Sequence, residues 1–170
     1  MKKAIIPLVL SLTVLVVFGL EAKAQVPKEG TTSFTSGYSA TFKVLTMGEE
    51  RVQMTYEVMG VGFGDTAEDF SHNTSFRCIG ALHALKGDYT GNNSCFCVIT
   101  RPDGDQIFSI YKFDGKLGGM YKGTYTIIGG TGKLVGIQGS GEVTGVNLSR
   151  RAAEGTFQGY NKQKGQYKLP

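Results

Sequence analysis

Apolar and polar residues alternate one by one along two neighbouring stretches near the start of the chain. Every second residue is apolar or aromatic from position 38 to 44 (Tyr, Ala, Phe, Val) and again from 52 to 58 (Val, Met, Tyr, Val). A period of two residues is typical of a β-strand with one buried face and does not fit a helix. Glu49 and Glu50 lie in the turn between the stretches. The pattern therefore predicts an antiparallel hairpin.

Six further strands are predicted after this hairpin, and no stretch of ten or more residues has the pattern of an amphipathic helix. Turn residues separate them, as at 102–105 (Pro-Asp-Gly-Asp) and 114–115 (Asp-Gly). Eight short-linked strands predict a single all-β domain over residues 34–170, either a sandwich or a closed barrel. We favour an eight-stranded antiparallel barrel because closure removes unpaired strand edges. The predicted later strands are Ser75–Lys86, Ser94–Arg101, Gln106–Phe113, Leu117–Ile128, Ile137–Leu148 and Arg151–Asn161.

The first 24 residues have the pattern of a secretory signal peptide. A basic start is followed by an apolar run and an Ala-x-Ala site, which predicts cleavage between Ala24 and Gln25 and a periplasmic or secreted protein. An uncleaved membrane anchor is the alternative, but the apolar run is short for a span. Residues 25–33 read as a flexible leader. After cleavage we expect no membrane contact.

The charge of the chain argues against a nucleic-acid partner. Loss of residues 1–24 removes three basic residues and one acidic residue, so the formal net charge falls from +4 to +2. Arg150 and Arg151 are the remaining basic cluster. Two residues are too few for a nucleic-acid footprint.

Glycine is concentrated in residues 129–145 (GGTGKLVGIQGSGEVTG), where a phosphate-binding loop has to be considered. A P-loop needs glycine at 127 and Ser or Thr at 134, but these positions are Ile127 and Leu134, and no helix follows. Glycine inside strands more often marks a bulge, a bend or a close backbone approach. We therefore predict that Gly129, Gly130 and Gly132 are structural, and that Val at 130 or 132 impairs folding.

Two segments carry a resemblance to known proteins. The sequence TIIGGTGKLVGIQGSGEVTG resembles the Gly-Gly-Thr-Gly segment of the allene oxide cyclase and dirigent barrel superfamily. The segment RCIGALHALKGDYTGNNSCFCVITRPDGDQIF resembles small secreted bacterial proteins of the same barrel type with no settled function. The likeness covers roughly residues 75–157. It implies a calycin-like barrel, a cavity that could serve an isomerase or cyclase, and a homotrimer, but it transfers no catalytic residue.

The three cysteines predict one disulfide, because an exported chain folds in an oxidising space. A two-residue turn at Gly87-Asp88 would place Cys78 opposite Cys97 in neighbouring strands. Cys95 would then face the same side as Cys97. It would either stay a free thiol or take the place of Cys97 in the disulfide. A longer turn would favour neither pairing.

Metal binding is the alternative use of the cysteines. Together with His72 and His83 they are soft or borderline ligands. However, their spacing is not a recognised zinc motif, and Cys78 and His83 should face opposite sides of a strand. We therefore predict no metal and no cofactor.

The alternation also predicts what lies inside the barrel. An eight-stranded barrel encloses side chains or one small ligand. Function therefore has three candidates: an exported binder of a small apolar molecule, an isomerase or cyclase that uses the same cavity, and a non-catalytic structural or interaction protein with a filled core. An apolar pocket whose tyrosine hydroxyls orient a ligand would favour the binder. The predicted ligand-binding residues are Tyr38, Phe42, Met54, Tyr56 and Tyr111.

Overall fold

The computed structural model describes residues 26–170, so the predicted signal peptide and cleavage site lie outside the described residues. Each strand pairs antiparallel with the next, and β1 also pairs with β8, which closes the sheet into a barrel. The predicted all-β, eight-stranded antiparallel barrel is confirmed. None of the described segments forms a helix long and apolar enough to span a membrane. The elements are β1 (Glu29–Met47), β2 (Arg51–Gly64), β3 (Thr74–Leu85), β4 (Asn93–Thr100), β5 (Gln106–Gly115), β6 (Met120–Gly130), a 3₁₀ turn (Gly132–Leu134), β7 (Gln138–Asn147) and β8 (Thr156–Lys168).

The two ends of the chain depart from the sequence-based expectation. The leader predicted over 25–33 is wrong beyond residue 28, because β1 begins at Glu29, which pairs with Lys168. The last strand predicted at Arg151–Asn161 is also displaced, since β8 spans Thr156–Lys168. Both errors have the same cause. These paired segments lack regular apolar alternation, although Phe34 and Tyr167 are buried, so backbone pairing defines them.

The direction of the side chains follows the pleat of the sheet. Even-numbered residues of β1–β3 and odd-numbered residues of β4–β8 face the interior, as the alternation of buried and exposed positions shows. The outer face is less polar than usual for a solvated sheet, because Met59, Ile79 and Phe96 are each more than half exposed. The largest fully buried apolar side chains are Ile107, Leu134, Ile137 and Val143.

The barrel has two ends, which we name by how they are covered. The closed end carries the β2–β3, β4–β5 and β6–β7 connections, over residues 65–73, 101–105 and 131–137. The open end carries the other four connections, over residues 48–50, 86–92, 116–119 and 148–155. Both chain ends of the described structure lie at the closed end, where Leu169 N donates to Lys28 O (2.6 Å).

The β2–β3 loop folds across the closed end and is fixed there by polar contacts. Phe70 is buried against Tyr167, with ring centroids 4.4 Å apart. Arg101 Nη1 donates to the Phe70 carbonyl oxygen (2.7 Å). The carboxylate of Asp69 accepts from the backbone N–H of Ser33 (2.8 Å), which ties the loop to β1. These contacts supply the hydrogen bonds that buried loop backbone would otherwise lack.

The glycine-rich segment forms the β6–β7 connection at the closed end. The β5–β6 register shifts near Ile128, which has no partner on β5 and marks a bulge. Gly132 has a φ of +53°, and a Cβ there would collide with the carboxylate of Asp105. That carboxylate accepts from Lys133 N (3.0 Å) and helps hold the turn. Leu134 then inserts into the barrel with no exposed surface. Gly129 and Gly130 thus lie at the bend that precedes the turn from which Leu134 enters the barrel.

The predicted disulfide between Cys78 and Cys97 is confirmed. The two residues lie opposite each other on β3 and β4, with Cα atoms 4.1 Å apart. The turn differs from the predicted one, because Leu85 pairs with Asp88 across a turn at residues 86–87. Between this pair and the pair formed by Leu82 and Asn93, the chain has two residues on the β3 side and four on the β4 side. The two extra residues restore the register that places Cys78 opposite Cys97. Cys95 is free and buried.

Candidate ligand cavity

A cavity of about 330 Å³ occupies the part of the barrel nearer the open end. Its mouth is formed by Leu117 and Gly118 of the β5–β6 loop and by Leu148, Ser149 and Arg151 of the β7–β8 loop. Its inner limit is the packed closed end, where Ile107, Leu134 and Ile137 leave almost no surface exposed. The volume lies at the low end of the range for small-molecule pockets, which is about 300–1,000 Å³.

All five predicted ligand-binding residues line this cavity. Tyr38 and Phe42 come from β1, Met54 and Tyr56 from β2, and Tyr111 from β5. Their common inward direction follows from the two-residue alternation of apolar and polar residues, which is visible in the sequence. Whether they bind a ligand stays a prediction.

A continuous row of hydrogen-bonding side chains crosses one wall of the cavity. At its inner end, Tyr111 Oη donates to Gln163 Oε1 (2.8 Å), and Gln163 Nε2 donates to Asn161 Oδ1 (2.9 Å). Asn161 Nδ2 then donates to the Tyr121 hydroxyl (3.2 Å). We call this row, together with Tyr38 and Asn147, the polar wall.

The polar wall ends at the mouth. The Tyr38 hydroxyl lies 3.1 Å from the Tyr121 hydroxyl and 2.9 Å from Asn147 Oδ1. A hydroxyl has one hydrogen to donate. If Tyr38 donates to Asn147, Tyr121 can donate to Tyr38, and every hydroxyl along the wall then has an acceptor. A ligand can replace one of these hydrogen bonds with its own, and because all groups of the polar wall are uncharged, no charged side chain loses its partner.

The opposite wall is mainly apolar. Met54, Val58 and Leu82 line it together with the three cysteines. Its polar groups are Thr74, which donates to the Ser71 carbonyl oxygen, and the Tyr56 hydroxyl, which donates to Asn93 Oδ1 (2.5 Å). The cavity therefore has one hydrogen-bonding side and one side suited to hydrocarbon.

Burial raises the pKa of the phenol groups in and around this cavity. Desolvation is the largest cause for Tyr38, Tyr56, Tyr111 and Tyr121. The same cause raises the pKa of Tyr89 to about 12. Every one of these groups is therefore a neutral hydrogen-bond donor at physiological pH and a poor acid.

Charge is almost absent from the lining. Within residues 26–170, Arg151 is the single charged side chain on the lining, and its guanidinium carbon lies 5.2 Å from the centre of the Phe42 ring at the mouth. No carboxylate or histidine of this part of the chain lines the cavity. An anionic or cationic ligand would have to shed water without a buried counter-ion, which costs several kcal/mol. The lining fits a neutral molecule.

Sequence reasoning missed the polar half of the lining. Tyr121, Asn147, Asn161 and Gln163 were not predicted, and Asn161 and Gln163 belong to the strand whose position was wrong. A usable signal is present in the segment 161–164 (Asn-Lys-Gln-Lys), where uncharged and charged residues alternate. Because lysine is almost never buried, the lysines mark the outer face and the amides the inner one.

The two histidines take no part in the cavity. Neither His72, in the β2–β3 connection, nor His83, on β3, lines it. His83 is on the outer face because it is an odd number of residues from Cys78. The three cysteines are the one group of potential metal ligands that the described residues bring together.

Comparison with known proteins identifies no relative. No protein-family model matches the chain, and neither a curated protein nor a solved structure matches it. The fold and the cavity therefore define the class: a small closed β-barrel with an uncharged internal pocket that opens at one end.

Proposed function

We propose that this protein binds a small, neutral and largely apolar molecule inside the barrel. The observation that carries the proposal is the cavity itself, about 330 Å³ in volume and lined on one side by hydrocarbon and on the other by uncharged hydrogen-bonding groups. Few polar groups placed around an apolar pocket are typical of small-molecule sites. The ligand would place an oxygen or nitrogen function against the polar wall and its apolar part against Met54, Val58 and Leu82.

The isomerase or cyclase receives less support than the binder. Such chemistry needs a group that transfers a proton or stabilises charge, with a pKa near the working pH. The phenols that line the cavity have raised pKa values, and no carboxylate of the described chain reaches it. A wholly filled core is disfavoured by the cavity volume.

Export and membership of the allene oxide cyclase and dirigent superfamily remain part of this proposal. The disulfide between Cys78 and Cys97 supports an oxidising compartment. The closed eight-stranded barrel is compatible with the superfamily resemblance, and the apolar residues on the outer face would be covered in the homotrimer that the resemblance implies.

A matched pair of variants on one strand tests the binding proposal. Met54→Trp fills the cavity from β2, whereas Met59→Trp places the same side chain on the exposed outer face of that strand. With the neutral fluorescent probe N-phenylnaphthylamine, we expect saturable binding to the wild type and to Met59→Trp, and its loss in Met54→Trp. Equal binding by both variants would place the probe outside the barrel.

Control experiments accompany this test. Circular dichroism must show that Met54→Trp keeps the β-barrel. Tyr121→Phe is a milder variant, because it removes one hydroxyl of the polar wall without adding volume. Native mass spectrometry of protein purified from its source would show any retained ligand together with the oligomeric state. Absence of probe binding to the folded wild type would overturn the proposal.

A further inference from the structure

Three sulfur atoms meet on the apolar wall of the cavity. Cys78 and Cys97 are joined by the disulfide, and Cys95 Sγ lies 3.8 Å from Cys97 Sγ. The ligand atoms of all three cysteines lie within 4.8 Å of one another, and all three residues line the cavity. The binding proposal uses the apolar character of this wall but assigns no role to the sulfur atoms.

Strand geometry, in addition to the disulfide, places the three cysteines together. Cys95 and Cys97 are two residues apart on β4, so both side chains face inward. Cys78 lies directly opposite Cys97 on β3. Reduction of the disulfide would therefore leave three thiols on one patch of barrel wall, on two strands that their own hydrogen bonds hold in register. Such a patch offers three soft ligands to one atom.

We propose that the reduced barrel binds one trivalent arsenic atom through Cys78, Cys95 and Cys97. Arsenous acid reaches the cavity as a small neutral molecule. Each of its three hydroxyl groups takes the proton of one thiol and leaves as water, while an arsenic–sulfur bond replaces the arsenic–oxygen bond. Arsenic stays trivalent throughout, and the product is uncharged.

Charge is the reason for choosing a trivalent metalloid over a metal cation. Three thiolates around a monovalent copper ion carry two negative charges, and around a zinc ion they carry one. The lining has no buried cation to compensate these charges, since Arg151 lies at the mouth. A buried, uncompensated charge costs several kcal/mol. Only the neutral three-sulfur complex matches the uncharged cavity.

The disulfide and the arsenic centre exclude each other, because two of the three sulfur atoms are shared. A thiol or phosphine reductant must first deliver two electrons and two protons to the disulfide and is itself oxidised in the exchange. The reduced protein then presents three thiols, and the oxidised protein presents only that of Cys95.

The test uses the full mature protein and sodium arsenite as the probe. Protein is kept anaerobic with a phosphine reductant, which carries no competing thiol, and a thiol titration must report three free thiols. We expect native mass spectrometry to show a mass gain of one arsenic less three hydrogens, together with near-ultraviolet arsenic–sulfur absorption. The oxidised wild type, with one free thiol, should show neither signal.

Variants with two thiols decide whether the cluster acts as one site. Loss of one of three tethered ligands removes its high effective concentration, so Cys95→Ser and Cys78→Ser should each bind arsenite about 10²-fold more weakly or worse. Two-thiol variants that bind as tightly as the wild type would overturn the proposal. So would a fully reduced, folded wild type that binds no arsenite.

Unfolding of the reduced chain is controlled for by circular dichroism. If the barrel loosens on reduction, the proposal requires arsenite to restore the spectrum of the barrel, and binding to a chain that stays unfolded would count against it. The oxidised wild type, in which the disulfide and the cavity are intact, should bind N-phenylnaphthylamine whether or not the reduced protein binds arsenite. This result separates a failure of the arsenic site from a failure of the binding proposal.

Discussion

The closed and open ends of the barrel are built from the same eight strands but are covered in different ways. At the closed end, Phe70 and Leu134 are buried, and the loops are held by hydrogen bonds that Asp69 accepts and Arg101 donates. At the open end, β1 extends beyond its pairing with β8 and Leu45 is exposed, while the β5–β6 and β7–β8 loops border the cavity. The difference separates the part that stabilises the fold from the part that is free to bind.

The largest contrast is expected between two leucines. Leu134 is completely buried at the closed end, whereas Leu148 lies about half exposed at the mouth. Leu134→Ala should lower the free energy of unfolding by about 2–5 kcal/mol through lost burial and a new cavity. Leu148→Ala should change it by less than about 0.5 kcal/mol. Urea unfolding measures both, and similar losses would mean that the mouth also stabilises the fold.

A second contrast uses two glycines that share a left-handed backbone. Gly132 at the closed end has a φ of +53° and Gly118 at the open end has a φ of +71°. Alanine at either position costs about 1–2 kcal/mol for the conformation alone. At Gly132 the methyl group also meets the Asp105 carboxylate, which adds about 1–3 kcal/mol of overpacking, whereas no described residue lies within 4 Å of a methyl group at Gly118.

The glycine pair is measured by thermal or urea unfolding. If Gly132→Ala and Gly118→Ala lose the same stability, the close approach of Asp105 does not matter to the turn. A normally folded Gly132→Val protein that lost only a nucleotide-dependent activity would revive the phosphate-loop interpretation.

A third prediction concerns alkaline pH. Desolvation raises the pKa of Tyr89, near the open end, and of Tyr125, on β6, to about 12 in the folded protein, from 10.0 for an unperturbed phenol. The unfolded chain loses these protons first, so stability is constant well below pH 10 and falls as the pH rises through 10 towards 12. The melting temperature, followed with tyrosinate absorbance, checks this.

Phenylalanine variants show how much of the alkaline loss of stability comes from each of the two tyrosines. Tyr89→Phe and Tyr125→Phe should each reduce the alkaline loss of stability. The Tyr125 hydroxyl is buried and has no hydrogen-bond partner among residues 26–170, so Tyr125→Phe should also leave stability at neutral pH unchanged or slightly higher. An unchanged alkaline profile in both variants would mean that other groups control it.

The smallest effect is expected at the mouth. Arg151 lies over the Phe42 ring at 5.2 Å, and an exposed cation–π contact of this kind contributes about 0.5–1 kcal/mol. Arg151→Ala should therefore lower stability by no more than this, and Arg151→Lys by less. A larger loss in urea unfolding would show that the open end is more ordered than its contacts indicate.

The parts that sequence reasoning recovered are those with a repeating pattern. Alternation on β1 and β2 gave the inward direction of Tyr38, Phe42, Met54 and Tyr56, and the eight-stranded barrel followed from the number and spacing of the strands. The cysteine pairing was recovered from register, although the turn used to derive it was one residue away from the observed one. The face that a residue occupies is a local property, so a single sequence carries it, whereas the cysteine register also depended on the residues of the β3–β4 connection.

The parts that were missed depend on contacts between distant segments. The N-terminal part of β1 and most of β8 lack apolar alternation, and they become strands because they pair with each other. Asn161 and Gln163 become lining residues only when that pairing places them opposite Tyr111 and Tyr121. The alternation of amides and lysines at 161–164 indicates which residues face inward, but it does not indicate that this segment pairs with β1, more than a hundred residues away.

The sequence by itself determined the strand class and the inward faces of the apolar strands, because both rest on a two-residue period. It favoured Cys97 as the partner of Cys78 but left Cys95 open, because the register depended on the length of the turn. Only the tertiary structure decided that one end is filled and the other open, and that a polar wall faces an apolar wall that carries three sulfur atoms. These features arise from barrel closure, which brings β1 beside β8 and sets inward residues of all eight strands around one shared space.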